Sequence, residues 1–333
     1  NAHTVAKEDV FCNLTDKSME LHVKNLDNKD YSLIINKLLE PINVEASLEK
    51  AIRNAGIQTT GHIFNKSVQL LAYADDIDII ARSEYELKSA FKSLATSARN
   101  MGLVINEGKT KYMPVHGRQK PPSIQIDNYT FETVNEFVYL GTMVTNDNNV
   151  SSEIKRRIVA ANRYYFGLQK HMKSRHLTRR TKVLLYKTLI RPVLMYGSEC
   201  WTISKGDEGA LESFERKVLR RIYGPVCDNG EWRIRYNQEL YDLYEDPNIS
   251  KEIKTGRLRW AGHIQRMSEG DIPKRIMDGA PGGRRRVGRP KLRWLDGVVK
   301  DASTIGIRNW RNAAQHRQSW RQALLEAKTR PGL

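Results

Sequence analysis

Two adjacent carboxylates, Asp75 and Asp76, are the residues of this sequence best suited to chemistry. They stand between two apolar, β-prone runs, residues 68–73 and 77–80, and this pattern predicts a tight, largely buried hairpin with the Asp pair at its turn. Both carboxylates can then reach one cation, and Mg²⁺ prefers such oxygen ligands, which it shares with substrate phosphates. Phosphoryl transfer by a two-metal clamp is the chemistry that this arrangement favours. The alternative is a solvated hairpin tip, which describes most Asp-Asp turns.

The segments around this hairpin predict an α+β layer. A helix is expected at residues 46–54, and a second one begins with a capping box formed by Ser83 and Glu86 and ends at Gly102. Its buried face is predicted from apolar residues at three- and four-residue steps: Leu87, Ala90, Phe91, Leu94, Ala95, Ala98 and Met101. Further strands are predicted at residues 103–105, 110–113, 123–126, 129–131 and 137–140, whereas residues 1–40 show no clear pattern. Helices on one face of a sheet are the expected architecture.

The second part of the chain is predicted to be helical. One helix is expected to start at Ser152, another to run from Thr178 to Ile190 and stop before Pro192, and a third to start near Asp207. A Gly/Pro/Arg linker near residues 279–290 precedes another helical stretch. Four tryptophans of this tail are predicted to be core residues, with base stacking as the alternative: Trp260, Trp294, Trp310 and Trp320. His263 is interpreted as structural.

The charge distribution indicates a polyanionic partner. Residues 1–150 contain 16 Lys and Arg against 19 Asp and Glu, whereas residues 151–333 contain 39 against 19. All the excess positive charge therefore lies in the second part, and each phosphate contact there would release condensed counterions. The alternative is a basic surface with no specific partner.

Composition also excludes several classes of protein. With 333 residues, 40% of them hydrophobic, the chain can bury two or three modest cores. No stretch is apolar and long enough to span a bilayer, and the first residues lack the pattern of a signal peptide. We expect a nuclear or cytoplasmic protein that is neither secreted nor held in a membrane. Cys12, Cys200 and Cys227 are far apart, so free thiols are expected and a zinc site is not.

Three ordered motifs resemble the polymerase of non-LTR (LINE-type) retrotransposons. Residues 73–76 resemble the YxDD box of reverse transcriptases, in its YADD form. Residues 102–111, which include Lys109 and Lys111, resemble the next palm motif, and residues 137–141 resemble the FxYLG primer grip. Residues 186–221 are similar to the thumb of these elements, and the stretches 260–267 and 288–294 are similar to their tail. The resemblance covers roughly residues 46–330.

The resemblance implies a fold and a division into domains. The fold class is α+β: a partial polymerase palm, with an antiparallel sheet and helices on one face, is followed by an all-α thumb bundle and a helical basic tail. The expected segments are 1–45, which stays unassigned, 46–150 for the palm, 151–225 for the thumb, and 226–333 for the basic C-terminal region.

The resemblance also assigns roles to residues. Asp75 and Asp76 would ligate Mg²⁺ or Mn²⁺, and Lys109 and Lys111 would face the triphosphate, with solvated strand ends as the alternative for both lysines. The primer and nucleotide contacts would come from Tyr73, Phe137, Tyr139, Leu140 and Gly141, although core packing is equally compatible with Phe137, Tyr139 and Leu140. An RNA template and a DNA primer would be the partners.

The sequence departs from the family upstream of residue 46. A complete polymerase has an earlier palm strand with another metal-binding Asp, together with finger motifs, and none of these is recognisable here. We therefore expect a truncated RNA-directed DNA polymerase that is inactive alone, unless a separate polypeptide supplies the missing palm and fingers. The alternatives are a non-enzymatic nucleic-acid-binding protein and a retroelement relic.

Basic residues of the second part are the candidates for nucleic-acid contact. Arginine can bind phosphate through two hydrogen bonds or enter a narrow minor groove. The candidates are Arg156, Arg157, Arg216, Lys217, Arg220, Arg284, Arg285, Arg286, Arg289 and Lys291. For residues 284–291, a nuclear-localisation signal and a solubilising linker remain alternatives.

Overall fold

A computed structural model of the chain describes residues 9–14, 47–57, 69–115, 121–279 and 292–329. The chain divides into two compact units, residues 1–148 with 279–283 and residues 149–278 with 284–333. Within the described residues, no helix is both long and apolar enough to cross a membrane.

The first unit is built on a six-stranded sheet with the strand order β2-β3-β1-β4-β6-β5. Neighbouring strands are antiparallel, except that β4 and β6 are parallel. The strands are β1 (Asp9–Leu14), β2 (Gln69–Tyr73), β3 (Asp76–Ala81), β4 (Lys111–Val115), β5 (Ser123–Ile126) and β6 (Tyr129–Thr133). A separate two-stranded sheet contains β7 (Glu136–Tyr139) and β8 (Thr142–Thr145), and the helices are α1 (residues 47–54) and α2 (Glu84–Asn100). With the helical second unit, this architecture confirms the α+β fold class.

Helix α2 forms the core of the first unit against one face of the sheet. Its N-terminus is capped by the Ser83 side chain, which accepts a hydrogen bond from the Glu86 N–H, so this half of the predicted capping box is confirmed. The predicted apolar face is buried as expected. Within it, the Phe91 ring makes edge contacts with Tyr129 and Phe131, at centroid distances of 5.5 and 5.1 Å.

The predicted strand at residues 103–105 is wrong, because these residues complete the end of helix α2. Gly102 has a φ of +74°, and the Leu103 N–H donates to the Ala98 carbonyl at 2.9 Å, which closes a Schellman motif. Leu103 is buried against the helix core. Its apolar character therefore serves the helix end rather than a strand.

Strand β1 is the element of this unit that the sequence pattern misses. It lies between β3 and β4, with Leu14 opposite Ile77 and Asn13 opposite both Asp78 and Lys111. The prediction of a largely buried hairpin is correct for β3 but wrong for β2. Strand β2 is at one end of the strand order, and the Tyr73 side chain is 67% exposed.

The second unit is helical, apart from a short hairpin of β9 (Val226–Asp228) and β10 (Glu231–Arg233). Its first helices are α3 (Val150–Gly167), α4 (Gln169–Lys173), α5 (Arg179–Leu185), α6 (Arg191–Met195) and α7 (Lys205–Tyr223). They are followed by α8 (Asn237–Tyr244), α9 (Ile249–Gln265), α10 (Ile272–Asp278), α11 (Trp294–Thr304), α12 (Trp310–Gln315) and α13 (Arg317–Thr329).

Two predicted helix ends in this unit are wrong. Helix α3 begins at Val150, two residues before the predicted start at Ser152. Its cap is Asn149, whose side chain accepts a hydrogen bond from the Ser151 N–H. Helix α5 does not stop before Pro192. A π-helical turn over Tyr186–Ile190 joins it to α6, in which the proline occupies the first turn. The wider turn passes around a residue that lacks an N–H and crowds the preceding turn.

A buried carboxylate connects three segments of the helical core. Glu215 of α7 is fully buried and accepts hydrogen bonds from the Tyr186 hydroxyl and the Ile249 N–H, both at 2.9 Å. Burial raises the pKa of Glu215, and these hydrogen bonds oppose that rise. The carboxylate thus holds α7 to the π-helical turn and to the start of α9.

Replacing Glu215 should measure the strength of this connection. Glu215→Ala should lower the free energy of unfolding by roughly 2–4 kcal/mol, because it leaves a buried hydroxyl and a buried N–H without an acceptor. Urea unfolding measures this loss. Glu215→Gln, which keeps the volume and one acceptor oxygen, is the control and should lose clearly less. Equal losses for the two variants would show that the hydrogen bonds do not determine the effect.

Candidate functional site

The carboxylate pair lies at a two-residue hairpin turn between β2 and β3. Tyr73 pairs with Asp76, so Ala74 and Asp75 form the loop. Ala74 has a φ of +51°, a left-handed conformation that a residue with a Cβ rarely adopts. A positive φ at the first loop residue is typical of the type II′ turn, which matches the twist of the flanking strands. The backbone of the turn that carries the Asp pair is therefore strained, and the paired strands hold it in one conformation.

Strand β3 places carboxylates on one face and the core on the other. Ile77, Ile79 and Ala81 are buried in the core with helix α2, whereas Asp76 and Asp78 alternate with them and share the opposite face. Asp78 is only 5% exposed, and its Oδ1 has no hydrogen-bond partner. This face of β3 therefore combines a carboxylate at the turn with a second one that is buried behind it.

The electrostatics of this face follow from burial and from charge proximity. Burial, followed by the charge of Asp75, raises the pKa of Asp76. Burial, followed by the charge of Asp76, raises the pKa of Asp78 to about 7. Asp78 was not predicted as a site residue. The signal that could have found it is a single acid inside an otherwise apolar strand, on the face of Asp76.

The β7–β8 hairpin brings Tyr139 into the field of these carboxylates. Tyr139 pairs with Thr142 across a two-residue turn in which Leu140 and Gly141 have φ values of +45° and +77°. Two positive φ values are typical of a type I′ turn, in which leucine is unusual. The Tyr139 side chain is half-buried, and its pKa is raised to about 12 by burial, then by Asp78, then by Asp76. Phe137, on the same strand, is also half-buried.

The two candidate lysines lie at the same end of the sheet as the Asp pair. Asn13 pairs with both Asp78 and Lys111, so Lys111 is on the rung of Asp78, two strands away. Two strand spacings amount to roughly 10 Å. The Lys111 Nζ forms an ion pair with Glu132 at 2.7 Å. Lys109 is exposed in the preceding turn, where its N–H donates to the Asn106 side chain at 3.1 Å.

The described residues do not complete a two-metal clamp. The backbone register of β1 places Leu14 opposite Ile77 and Asp9 opposite Val115. Among the residues that the structure describes, no group of three Asp, Glu, His or Cys side chains could hold a metal ion. Asp75 and Asp76 therefore have no third described side chain beside them that would complete a metal site.

The candidate phosphate-binding residues of helix α3 differ in their accessibility. Glu153 is buried and pairs with both Arg156 and Arg157. Arg157 is itself buried, and its guanidinium lies over the Tyr196 ring, 4.6 Å from the ring centre. Arg157 is therefore too buried to contact a phosphate, contrary to the prediction from sequence.

The candidates on helix α7 are engaged in local contacts. Arg216 pairs with Glu212 at 3.2 Å, Arg220 donates to Asn237 at 2.7 Å, and the Lys217 ammonium lies 5.1 Å from the Phe166 ring centre. The remaining candidates lie outside the described residues: Arg284, Arg285, Arg286, Arg289 and Lys291.

Replacing Asp78 should stabilise the protein. Asp78→Asn removes a buried carboxylate with an oxygen that lacks a hydrogen bond, and such a group costs about 1–3 kcal/mol. Because the folded-state pKa is raised, the protonated acid contributes stability below about pH 4, and this contribution is lost as the pH rises through about 7. Urea unfolding in metal-free buffer should show little difference between wild type and variant at pH 4 and a more stable variant at pH 8. A pH-independent difference would contradict this account.

Comparisons with known proteins find similarity to reverse transcriptases and to a transposon-derived protein. Residues 31–144 match the family described as reverse transcriptase (RNA-dependent DNA polymerase). A transposon-derived protein of Caenorhabditis elegans is 27% identical over 264 residues, which is 75% of this chain and 92% of that protein. Calcyclin-binding proteins of Bos taurus and Homo sapiens are 52% and 50% identical over 48 residues, which is 14% of this chain and 21% of each of those proteins.

The family match contains the features that the structure brings together. The Asp75–Asp76 turn, Lys109, Lys111 and Tyr139 all lie inside residues 31–144. The transposon-derived relative extends the similarity well beyond that region, because it covers 75% of the chain. The chain is therefore similar to reverse transcriptases over residues 31–144 and to a transposon-derived protein over 75% of its length.

Proposed function

We propose that this chain is a fragment of a non-LTR retrotransposon reverse transcriptase that performs template-directed nucleotidyl transfer only when complemented. The observation that carries the proposal is the YADD turn, with the half-buried Tyr139 of the FxYLG hairpin in the electric field of Asp76 and Asp78. We assign residues 46–150 to the palm, 151–225 to the thumb and 226–333 to a basic C-terminal region. Residues 1–45 have no assigned catalytic role, although β1 lies in the same sheet and the family match begins at residue 31.

The proposed roles follow the positions of the side chains. Asp75 and Asp76 would hold Mg²⁺ or Mn²⁺, and the metal would supply charge neutralisation at the phosphates. Tyr73, exposed beside the turn, would contact the primer end or the nucleotide, and Phe137 to Gly141 would support the primer strand. Lys111 would have to leave Glu132 to reach a triphosphate, whereas Lys109 is already exposed at that end of the sheet.

We further propose that the chain alone does not polymerise DNA. The described carboxylates lie on one side of the metal site, and removing preorganised charge stabilisation typically costs several kcal/mol of barrier. RNA template and DNA primer would be bound, and a separate polypeptide would supply the facing metal ligand.

Primer extension tests the catalytic part of the proposal. The purified chain, given an RNA template, a DNA primer, dNTPs and Mg²⁺ or Mn²⁺, should incorporate no nucleotide above the level of Asp75→Ala. Asp78→Asn, which leaves the turn intact, is the matched control for folding. Incorporation by the wild type that Asp75→Ala abolishes would overturn the proposal that the chain is inactive alone.

A second candidate function is non-enzymatic nucleic-acid binding. It is favoured by the charge distribution, since residues 151–333 contain 39 Lys and Arg against 19 Asp and Glu. In that case the helical unit would bind nucleic acid whether or not the polymerase site is ever completed. A relic without a selected function would bind nucleic acid through the same charges.

A further inference from the structure

Helices α9 and α13 enclose a basic groove in the second unit. The cavity between them has a volume of about 850 Å³. Its lining residues recur at helical spacing on both elements, at 256, 259, 260 and 263 on α9 and at 317, 320, 321 and 324 on α13. The groove therefore lies along two helix faces that run past each other, outside the residues of the family match.

The base of the groove is a fixed aromatic side chain. Trp320 is 3% exposed, and its Nε1 donates to the Leu258 carbonyl at 3.2 Å. Gly262 of α9 lets this indole approach, because a Cβ at that position would collide with the Trp320 ring. The core prediction is thus confirmed for Trp320, as it is for Trp310. These contacts give the groove a rigid floor.

The rim of the groove is mostly positively charged, although Glu199 also lines it. Arg259, Arg317 and Arg321 are exposed, and no carboxylate of the described residues forms an ion pair with them. Lys328 pairs with Glu252 at 2.6 Å, whereas Arg266 donates to a backbone carbonyl. Burial lowers the pKa of Arg266, and the nearby charge of Arg317 lowers it further. An anion would relieve this repulsion.

The groove also contains an aromatic side chain that is only partly buried. Trp260 lines the groove and is half-buried, unlike Trp320 and Trp310. Its ring centre lies 5.4 Å from that of His263, at an angle of 40°. A half-exposed indole next to guanidinium groups is the combination that binds a base by stacking and its phosphates by charge.

We propose that the groove between α9 and α13 binds a single strand of nucleic acid, with phosphates on Arg259, Arg317 and Arg321 and a base against Trp260. The proposal does not depend on the polymerase site, because none of these residues belongs to the first unit. An acidic peptide would match the charge but would not use the indole face, so the aromatic ring favours nucleic acid. The groove would give nucleic acid a defined binding site, in addition to its general electrostatic attraction to the basic second unit.

A substitution that fills the groove with a larger side chain tests the proposal directly. Gly256 lines the cavity, and a Cβ at this position would have no atom within 4 Å, so Gly256→Leu should fill the groove without disturbing the fold. Gly209 of α7 is a matched control, since it is also a helical glycine with open space around it. In fluorescence anisotropy with a labelled 12-nucleotide oligo-U, Gly256→Leu should weaken binding about tenfold or more, whereas Gly209→Leu should bind like the wild type. Equal binding by all three proteins would overturn the proposal.

A second pair of variants separates a defined site from general charge attraction. The double variant Arg317→Ser with Arg321→Ser should weaken binding and reduce the salt dependence, by about 0.7 in the log–log slope for each lost phosphate contact. The double variant Arg179→Ser with Arg180→Ser removes the same charge from exposed positions on α5 and should change binding much less. Equal losses for the two double variants would indicate diffuse attraction and contradict the site. Circular dichroism confirms that each variant is folded.

The aromatic contact has its own readout. Oligo-U should lose affinity on Trp260→Leu, whereas a polyphosphate of the same length, which has no bases, should bind both proteins equally. Tighter binding of a poly-glutamate peptide than of oligo-U would assign the groove to an acidic protein partner and overturn the proposal. Primer extension is unaffected by these outcomes, so a failure here is distinguishable from a failure of the proposed polymerase ancestry.

Discussion

The first unit depends on strand β3, because one face of this strand packs in the hydrophobic core and the other face carries carboxylates. Its isoleucines anchor the sheet to helix α2, and this burial fixes the backbone that carries Asp76 and Asp78 on the other face. Because strand side chains alternate, the strength of the core contact sets how rigidly the carboxylates are held. The strained turn at Ala74 persists because both flanking strands are paired. A change in the core packing of β3 would therefore also move the carboxylates on its other face.

Buried charges have a comparable organising role in the second unit. Glu215 joins three segments of one core, and the Arg257–Asp301 pair, with an N–O distance of 2.8 Å, joins α9 to α11 in the next. Arg257 also donates to the Trp201 carbonyl at 3.0 Å. Such pairs contribute little net stability compared with apolar residues of the same shape, but breaking one leaves a costly unpaired charge. They favour one arrangement of the helices over alternatives with equal apolar burial.

The elements that could be predicted from sequence are those fixed by local signals. The cap at Ser83, the apolar face of α2 and the β2–β3 hairpin each depend on residues within one or two turns of one another. The predictions that failed concern elements whose structure depends on contacts with other parts of the chain. Residues 103–105 have the composition of a strand but complete a helix end, and the π-helical turn before Pro192 arises from packing in the bundle. Within the candidate site, the Asp pair was predictable. The burial of Asp78 was not, because it depends on what covers that face.

Strand β1 has a consequence for how the sheet assembles. It pairs with residues 77–81 and 111–115, so the centre of the sheet consists entirely of contacts between segments that are far apart along the chain. Such contacts form slowly, because a long loop must close before any of them is gained. Until β1 docks, β3 and β4 each present an unpaired row of N–H and C=O groups, which are templates for pairing with another chain. This topology therefore favours self-association of the chain during synthesis. The exposed strand edges persist until β1 pairs with β3 and β4.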